Sequence, residues 1–158
     1  MSGDAPLVLQ ASAVSIAGRA LLIEGPPGSG KSSLALALID RGAGLIGDDA
    51  VTLQRQGGRL IASPPPNIAG LIEVRGVGLA SLAVAPPAPV ALILAIGGPV
   101  PERLPPAPLP TRVIAGVAVP VLAFDPGAIA PARRAEWALH LHGLVPGAAS
   151  LHAIEAPE

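Results

Sequence analysis

One octapeptide constrains this 158-residue chain more than any other feature: Gly25-Pro26-Pro27-Gly28-Ser29-Gly30-Lys31-Ser32. It has the pattern G-x-x-x-x-G-K-[ST], in which backbone N–H groups wrap polyphosphate oxygens, the lysine reaches the outer phosphates and the hydroxyl faces Mg²⁺. Lys31 is the only lysine in the chain; the other nine cationic side chains are arginine. A compact ammonium therefore stands at the one position where it differs chemically from a guanidinium fork. The flanks suit the motif. Residues 20–24, Ala-Leu-Leu-Ile-Glu, read as a buried strand, and residues 32–40 as a helix with Leu34, Leu38 and Ile39 on one face and Gly42 as its stop. A strand, a glycine loop and a helix in that order predict an α/β domain with a nucleoside-triphosphate site at the helix N-terminus.

The rest of the chain reads as punctuated strands. Residues 8–16 alternate as one strand, and residues 50–54 and 59–62 form a hairpin about Gln56-Gly57-Gly58. Residues 90–96 are wholly apolar, which predicts a central strand. Residues 97–110 are proline-rich and read as a surface loop; residues 113–124 give one or two short strands; residues 131–142 form a helix that starts on proline and stops at Gly143. One domain is expected over residues 1–158, with its core at 9–143 and a tail at 144–158. The prolines and glycines cluster between well-formed apolar segments, as stiff loops do in a folded domain.

Composition narrows the function classes. The longest apolar run, seven residues, is far short of the roughly 20 that span a bilayer. The start lacks a basic stretch followed by an apolar one, so no signal peptide and no membrane role is expected. There is no cysteine, hence no disulfide or thiolate metal site. A net charge of −1 and only two aromatic residues, Phe124 and Trp137, argue against a nucleic-acid surface. A cytoplasmic location is the simplest expectation.

Two further stretches bear chemistry. Asp48-Asp49 follow the apolar Leu45-Ile46-Gly47, 17 and 18 positions beyond Lys31. At the carboxyl end of a strand they suit a metal contact and a proton acceptor, or else a solvated turn. Ile72-Glu73-Val74-Arg75-Gly76-Val77-Gly78 places Glu73 and Arg75 on one side of an extended segment, as a surface ion pair or as ligand contacts. His140, His142 and His152 make a poor metal set and are unassigned.

Together these stretches resemble the catalytic carboxyl-terminal domain of HPr kinase/phosphorylase, in a short single-domain form, over about residues 9–143. The resemblance implies a mixed sheet with flanking helices, similar also to phosphoenolpyruvate carboxykinase, and Mg²⁺-ATP as cofactor. It implies phosphorylation of a serine on HPr or an HPr-like phosphocarrier, and a homo-oligomer such as a hexamer. Residues 25–32 would hold ATP, with Lys31 on the phosphates and Ser32 and Glu73 on Mg²⁺. Asp49 would match the general base, Asp48 its support near the metal, and Arg103 the catalytic arginine. Gln10 stands in Leu9-Gln10-Ala11-Ser12 where the family usually has histidine. Residues 120–127 lack the arginines of the family's dephosphorylation loop. Kinase activity is therefore expected over phosphorylase activity. The alternatives are a nucleotide-sensing regulatory module without turnover and, less well matched, a small-molecule kinase.

Overall fold

The apolar run at 90–96 becomes the axis of the fold. The computed structural model describes residues 5–145. Strand β9 (Ala88–Ala95) lies parallel to β3 (Arg19–Glu24) along one edge. Its other edge is divided: the start, at Ala88 and Pro89, pairs antiparallel with β6 (Arg59–Ser63), and Ile93 to Ala95 pair parallel with β11 (Val117–Ala123). Beyond β6 come β5 (Val51–Gln56) and β1 (Leu7–Leu9); beyond β3 come β2 (Ser12–Ile16) and β4 (Gly44–Gly47). Strand β10 (Thr111–Ile114) pairs with β11, and β7 (Leu71–Val74) with β8 (Gly78–Ser81) forms a separate hairpin. The result is a mixed sheet with two helices, α1 (Lys31–Asp40) and α2 (Pro131–His142).

Period-two alternation explains why β3 and β9 are apolar on both faces. Leu21, Ile23, Leu92 and Leu94 point into a core shared with the helices through Leu34, Ala35, Leu38, Ala135 and Leu139. Ala20, Leu22, Val90 and Ile93 point the other way, against Val51 and Leu53 of β5, Leu60 of β6 and Val119 of β11. Helices cover one face, and the antiparallel strands curl over the other. Alanines 132, 135 and 138 give α2 a low-relief inner face, and an Arg41–Glu136 ion pair of 2.9 Å ties it to the end of α1.

Several expectations are confirmed: the strand leading into the glycine loop, the hairpin about Gly57-Gly58, the central strand, the loop at 97–110 and the helix at 131–142. Others are corrected. The strand expected over 8–16 breaks at Gln10-Ala11 into β1 and β2, because its two halves join different neighbours, β5 and the β3–β4 pair. The 71–79 stretch is a hairpin that turns at Arg75 to Val77, with Gly76 at φ 76°. In α1, Ala35 is buried and Ile39 is half-buried, so the inner face is rotated by one position. Of the expected tail, the Leu144 N–H donates to Ala91 O at 2.9 Å; the remainder from residue 146 lies outside the described residues. No helix among the described residues is long and apolar enough to cross a membrane.

Because Ile93 is fully buried, flanked by Leu22 of β3 and Val121 of β11, Ile93→Ala should cost about 2–5 kcal/mol in urea unfolding. Val113→Ala, at a position 67% exposed on β10, should stay within about 0.5 kcal/mol. Similar costs at both positions would contradict the core assignment.

Candidate functional site

The loop between β3 and α1 is shaped by its glycines. Gly28 and Gly30 hold φ of 79° and 102°, where L side chains are strained. Gly25 packs so closely that a Cβ there would lie 2.5 Å from Ile96 O and 2.7 Å from Ser29 Oγ. Lys31 folds back across the loop: its Nζ donates to Gly25 O at 2.9 Å and pairs with Asp49 Oδ1 at 3.0 Å. No side chain caps α1 and no acidic residue stands in its first turn. Its first N–H groups are therefore left for an external anion, with the helix dipole behind them. Glu24, just ahead of the loop, is bound by Arg112 of β10 at 2.8 Å, and this hydrogen bond holds the Arg112 guanidinium above its usual pKa. The nearby carboxylate is thus neutralised.

Topology brings the acid pair to the same edge. Strand β4 is antiparallel to β2, and β2 to β3, so β4 runs in the direction of β3 and its carboxyl end lies beside the loop. At Gly47 a Cβ would meet Ala50 O at 2.1 Å, so the chain can double back sharply there. Asp49 then adopts φ 63°, an uncommon conformation that aspartate tolerates better than most residues. The two carboxylates differ in their surroundings. Asp48 Oδ1 accepts from Ser32 Oγ at 2.6 Å and from Ser12 Oγ at 3.0 Å, and its Oδ2 accepts from the Glu73 N–H at 2.9 Å. The Asp49 backbone N–H donates to Ser12 Oγ at 3.2 Å, and its carboxylate pairs with Lys31 alone among the described residues. Its side chain is 68% exposed and touches Lys31, which is 10% exposed.

These groups surround a cleft of about 290 Å³ lined by Pro27, Gly28, Gly30, Lys31, Ser32, Ser33, Asp49, Glu73 and Arg75. Glu73 comes from β7 and Arg75 from the turn that follows, so both face the glycine loop across the cleft. Gly25 packs tightly against Ile96 and Ser29, Pro26 is exposed, and Asp48 accepts from the Ser32 hydroxyl; none of these four residues, Gly25, Pro26, Ser29 and Asp48, lines the cleft. Arg103 is not among the lining residues. It is exposed in the proline-rich loop and borders a separate groove with Phe124 and Trp137. Gln10 sits exposed in the bend between β1 and β2.

The donors fit a magnesium nucleotide. Mg²⁺ is held through one or two carboxylates plus phosphate oxygens and water, and Ser32 and Glu73 line the cleft as the side chains that could face it. Among the described residues no cluster of three or more acidic or histidine side chains could hold a metal unaided. The Ser29 hydroxyl is buried without a hydrogen-bond partner, a donor left over at the base of the loop. Sequence reasoning missed Ser12, fully buried and joined to both aspartates, and did not place Arg75 or Ser33 in the site. The one signal for Ser12 was its place in Leu9-Gln10-Ala11-Ser12.

The model of the HPr Serine kinase C-terminal domain matches residues 6–85. The chain is 48% identical over 66 residues to an HPr kinase/phosphorylase of Clostridium botulinum strain Eklund 17B, covering 42% of this chain and 22% of that protein. It is 51% identical over 65 residues to the HPr kinase/phosphorylase of Cupriavidus necator, covering 40% and 20%. The matched segment thus spans about a fifth of the length of these curated relatives. A solved structure, the Hpr(Ser) kinase/phosphatase from Coxiella burnetii, superposes with a TM-score of 0.68 at 30% identity, covering 82% of this chain and 86% of that one.

Ser12→Ala should cost about 1–3 kcal/mol in urea unfolding, because it strips a buried donor from Asp48 and an acceptor from the Asp49 N–H. Gly25→Ala should weaken tripolyphosphate binding by about tenfold or more in calorimetry, since its Cβ displaces the loop from Ile96. Unchanged affinity would show that the loop tolerates that displacement.

Proposed function

The chain belongs to the HPr Serine kinase C-terminal domain family, and from that premise we propose that it binds Mg²⁺-ATP and phosphorylates a serine hydroxyl on HPr or an HPr-like phosphocarrier. One observation carries the reading: Lys31, Ser32, Asp49 and Glu73 converge on one cleft, with Asp49 the outward-facing carboxylate. The nucleotide supplies the phosphoryl group, and its metal supplies charge neutralisation. Main-chain N–H groups of the loop and of the first turn of α1 bind phosphate oxygens. Lys31 exchanges its contact with Asp49 for those oxygens, and Ser32 and Glu73 are the metal-facing donors. Released from Lys31, the Asp49 carboxylate accepts the Oγ–H proton of the incoming serine as that oxygen attacks the terminal phosphorus, whose bond to the bridging oxygen breaks so that ADP leaves. Asp48, with three hydrogen bonds already made, holds Ser32 and the β7 backbone in place. Arg75, which lines the cleft, is better placed than Arg103 to meet phosphoryl charge.

The reverse reaction is less well supported. Residues 120–127 contain no arginine, and the Arg134 guanidinium is committed there to Asp125 O at 2.8 Å and Pro126 O at 3.2 Å. Capture of a phosphoserine by that loop is therefore weak in this reading, and phosphorylation is the favoured direction. A cytoplasmic setting and assembly into a homo-oligomer accompany the proposal as family-based expectations.

Incubation with γ-labelled ATP and purified HPr should produce acid-stable phosphoserine, read by mass spectrometry. Lys31→Ala should abolish the label. Asp49→Asn should lower turnover about 10²–10⁴-fold while ATP still binds. Labelling by Asp49→Asn at the normal rate would remove Asp49 as the base. ATP binding without transfer to any phosphocarrier would favour the regulatory-module reading.

A further inference from the structure

Arg19 opens β3 at the end of the sheet opposite the glycine loop. Strand β3 runs six residues from Arg19 to Glu24, and the five steps between them at about 3.3 Å each put roughly 17 Å of strand between the two ends. Its residue is 7% exposed, which makes it the one buried charged residue of the described chain. A guanidinium carries five N–H donors. Among the described residues, the Arg19 side chain makes one hydrogen bond, from Nη1 to Leu144 O at 3.2 Å, and has no carboxylate partner. Burial alone lowers its pKa, with no acid to offset the loss of water. A buried cation in this condition is normally paired.

The same side chain borders a cavity of about 480 Å³ that shares no residue with the phosphate cleft. The walls are mostly aliphatic, with Leu60, Val90, Val117 and Leu144 among them, and Arg59 stands exposed at the rim. Its elements are the start of β3, the β5–β6 turn, the start of β9, the β10–β11 turn and the segment after α2. The cavity therefore combines one buried planar cation, a second cation at the mouth and apolar sides.

We infer that this cavity is a second ligand site, distinct from the nucleotide cleft, and that it takes a small aliphatic monocarboxylate. The unused guanidinium N–H groups of Arg19 meet the planar carboxylate in a fork, a geometry that suits arginine and carboxylate. The hydrocarbon body lies against Leu60, Val90, Val117 and Leu144, and Arg59 adds long-range attraction at the entrance. A phosphate dianion fits less well, since a single buried cation faces it and the walls provide little else that is polar.

The test is NMR titration of the full chain with sodium butyrate, following the Arg19 side-chain Nε–H and the methyl groups of Leu60 and Val117. A parallel titration with inorganic phosphate uses Lys31→Ala, so that the glycine loop does not contribute. Butyrate should produce saturable shifts at those three side chains and leave the amides of residues 28–32 unmoved. Arg19→Lys keeps a donor for Leu144 O but loses the fork, and should weaken binding about tenfold. Arg59→Glu, at an exposed position, should weaken it severalfold without affecting folding. Three results would overturn the inference: no saturable shift with butyrate, equal affinity in Arg19→Lys and Arg59→Glu, or shifts with phosphate but not with butyrate. None of these measurements reads phosphoryl transfer, so the site stands or falls separately from the kinase reading.

Discussion

The Asp48 carboxylate is the point on which the site depends. It receives hydroxyls from β2 and α1 and a backbone N–H from β7, three elements far apart in sequence. Hydrogen bonds to a charged acceptor are worth more than neutral ones, and here they tie α1 and the β7–β8 hairpin to the β2–β4 edge of the sheet. The β7–β8 hairpin pairs with no other strand, so the Glu73 N–H bond to Asp48 is a polar link between that hairpin and the main sheet. Packing adds to it through Ile72, fully buried in the helix-side core.

With Asp48 committed, the neighbouring carboxylate, Asp49, is left exposed at the cleft. Adjacent residues in an ordinary strand would point to opposite faces, one in and one out. The positive φ of Asp49 and the sharp turn after Gly47 alter that geometry, and the side chain turns toward Lys31. One aspartate is structural and the other faces solvent beside the ammonium. Ser12 enforces the division, since its single hydroxyl donates to one aspartate side chain and accepts from the backbone of the other.

Much of this was legible in local pattern. The glycine loop, its strand and its helix follow from motif and periodicity, and residues 90–96 announce a strand buried on both faces. The break at Gln10-Ala11 was not legible, because alternation continues through it while hydrogen-bonding partners change. In the sequence Arg75 suits a surface as readily as a site, since spacing within a strand says nothing about what lies across a cleft. Arg103 matched by order along the chain, yet its loop follows the far groove beside Phe124 and Trp137. Order along a proline-rich segment does not specify direction in space.

By itself the sequence determined the class of domain, the glycine-rich loop between a strand and a helix, and the acid pair at a strand end, because each rests on residues close together in the chain. Only the tertiary structure decided which aspartate is held in a hydrogen-bond network, which arginine lines the cleft, and that Arg19 is buried with no acid beside it among the described residues. Those outcomes depend on hydrogen-bond partners and burial supplied by segments tens of residues away, and local spacing carries no record of them.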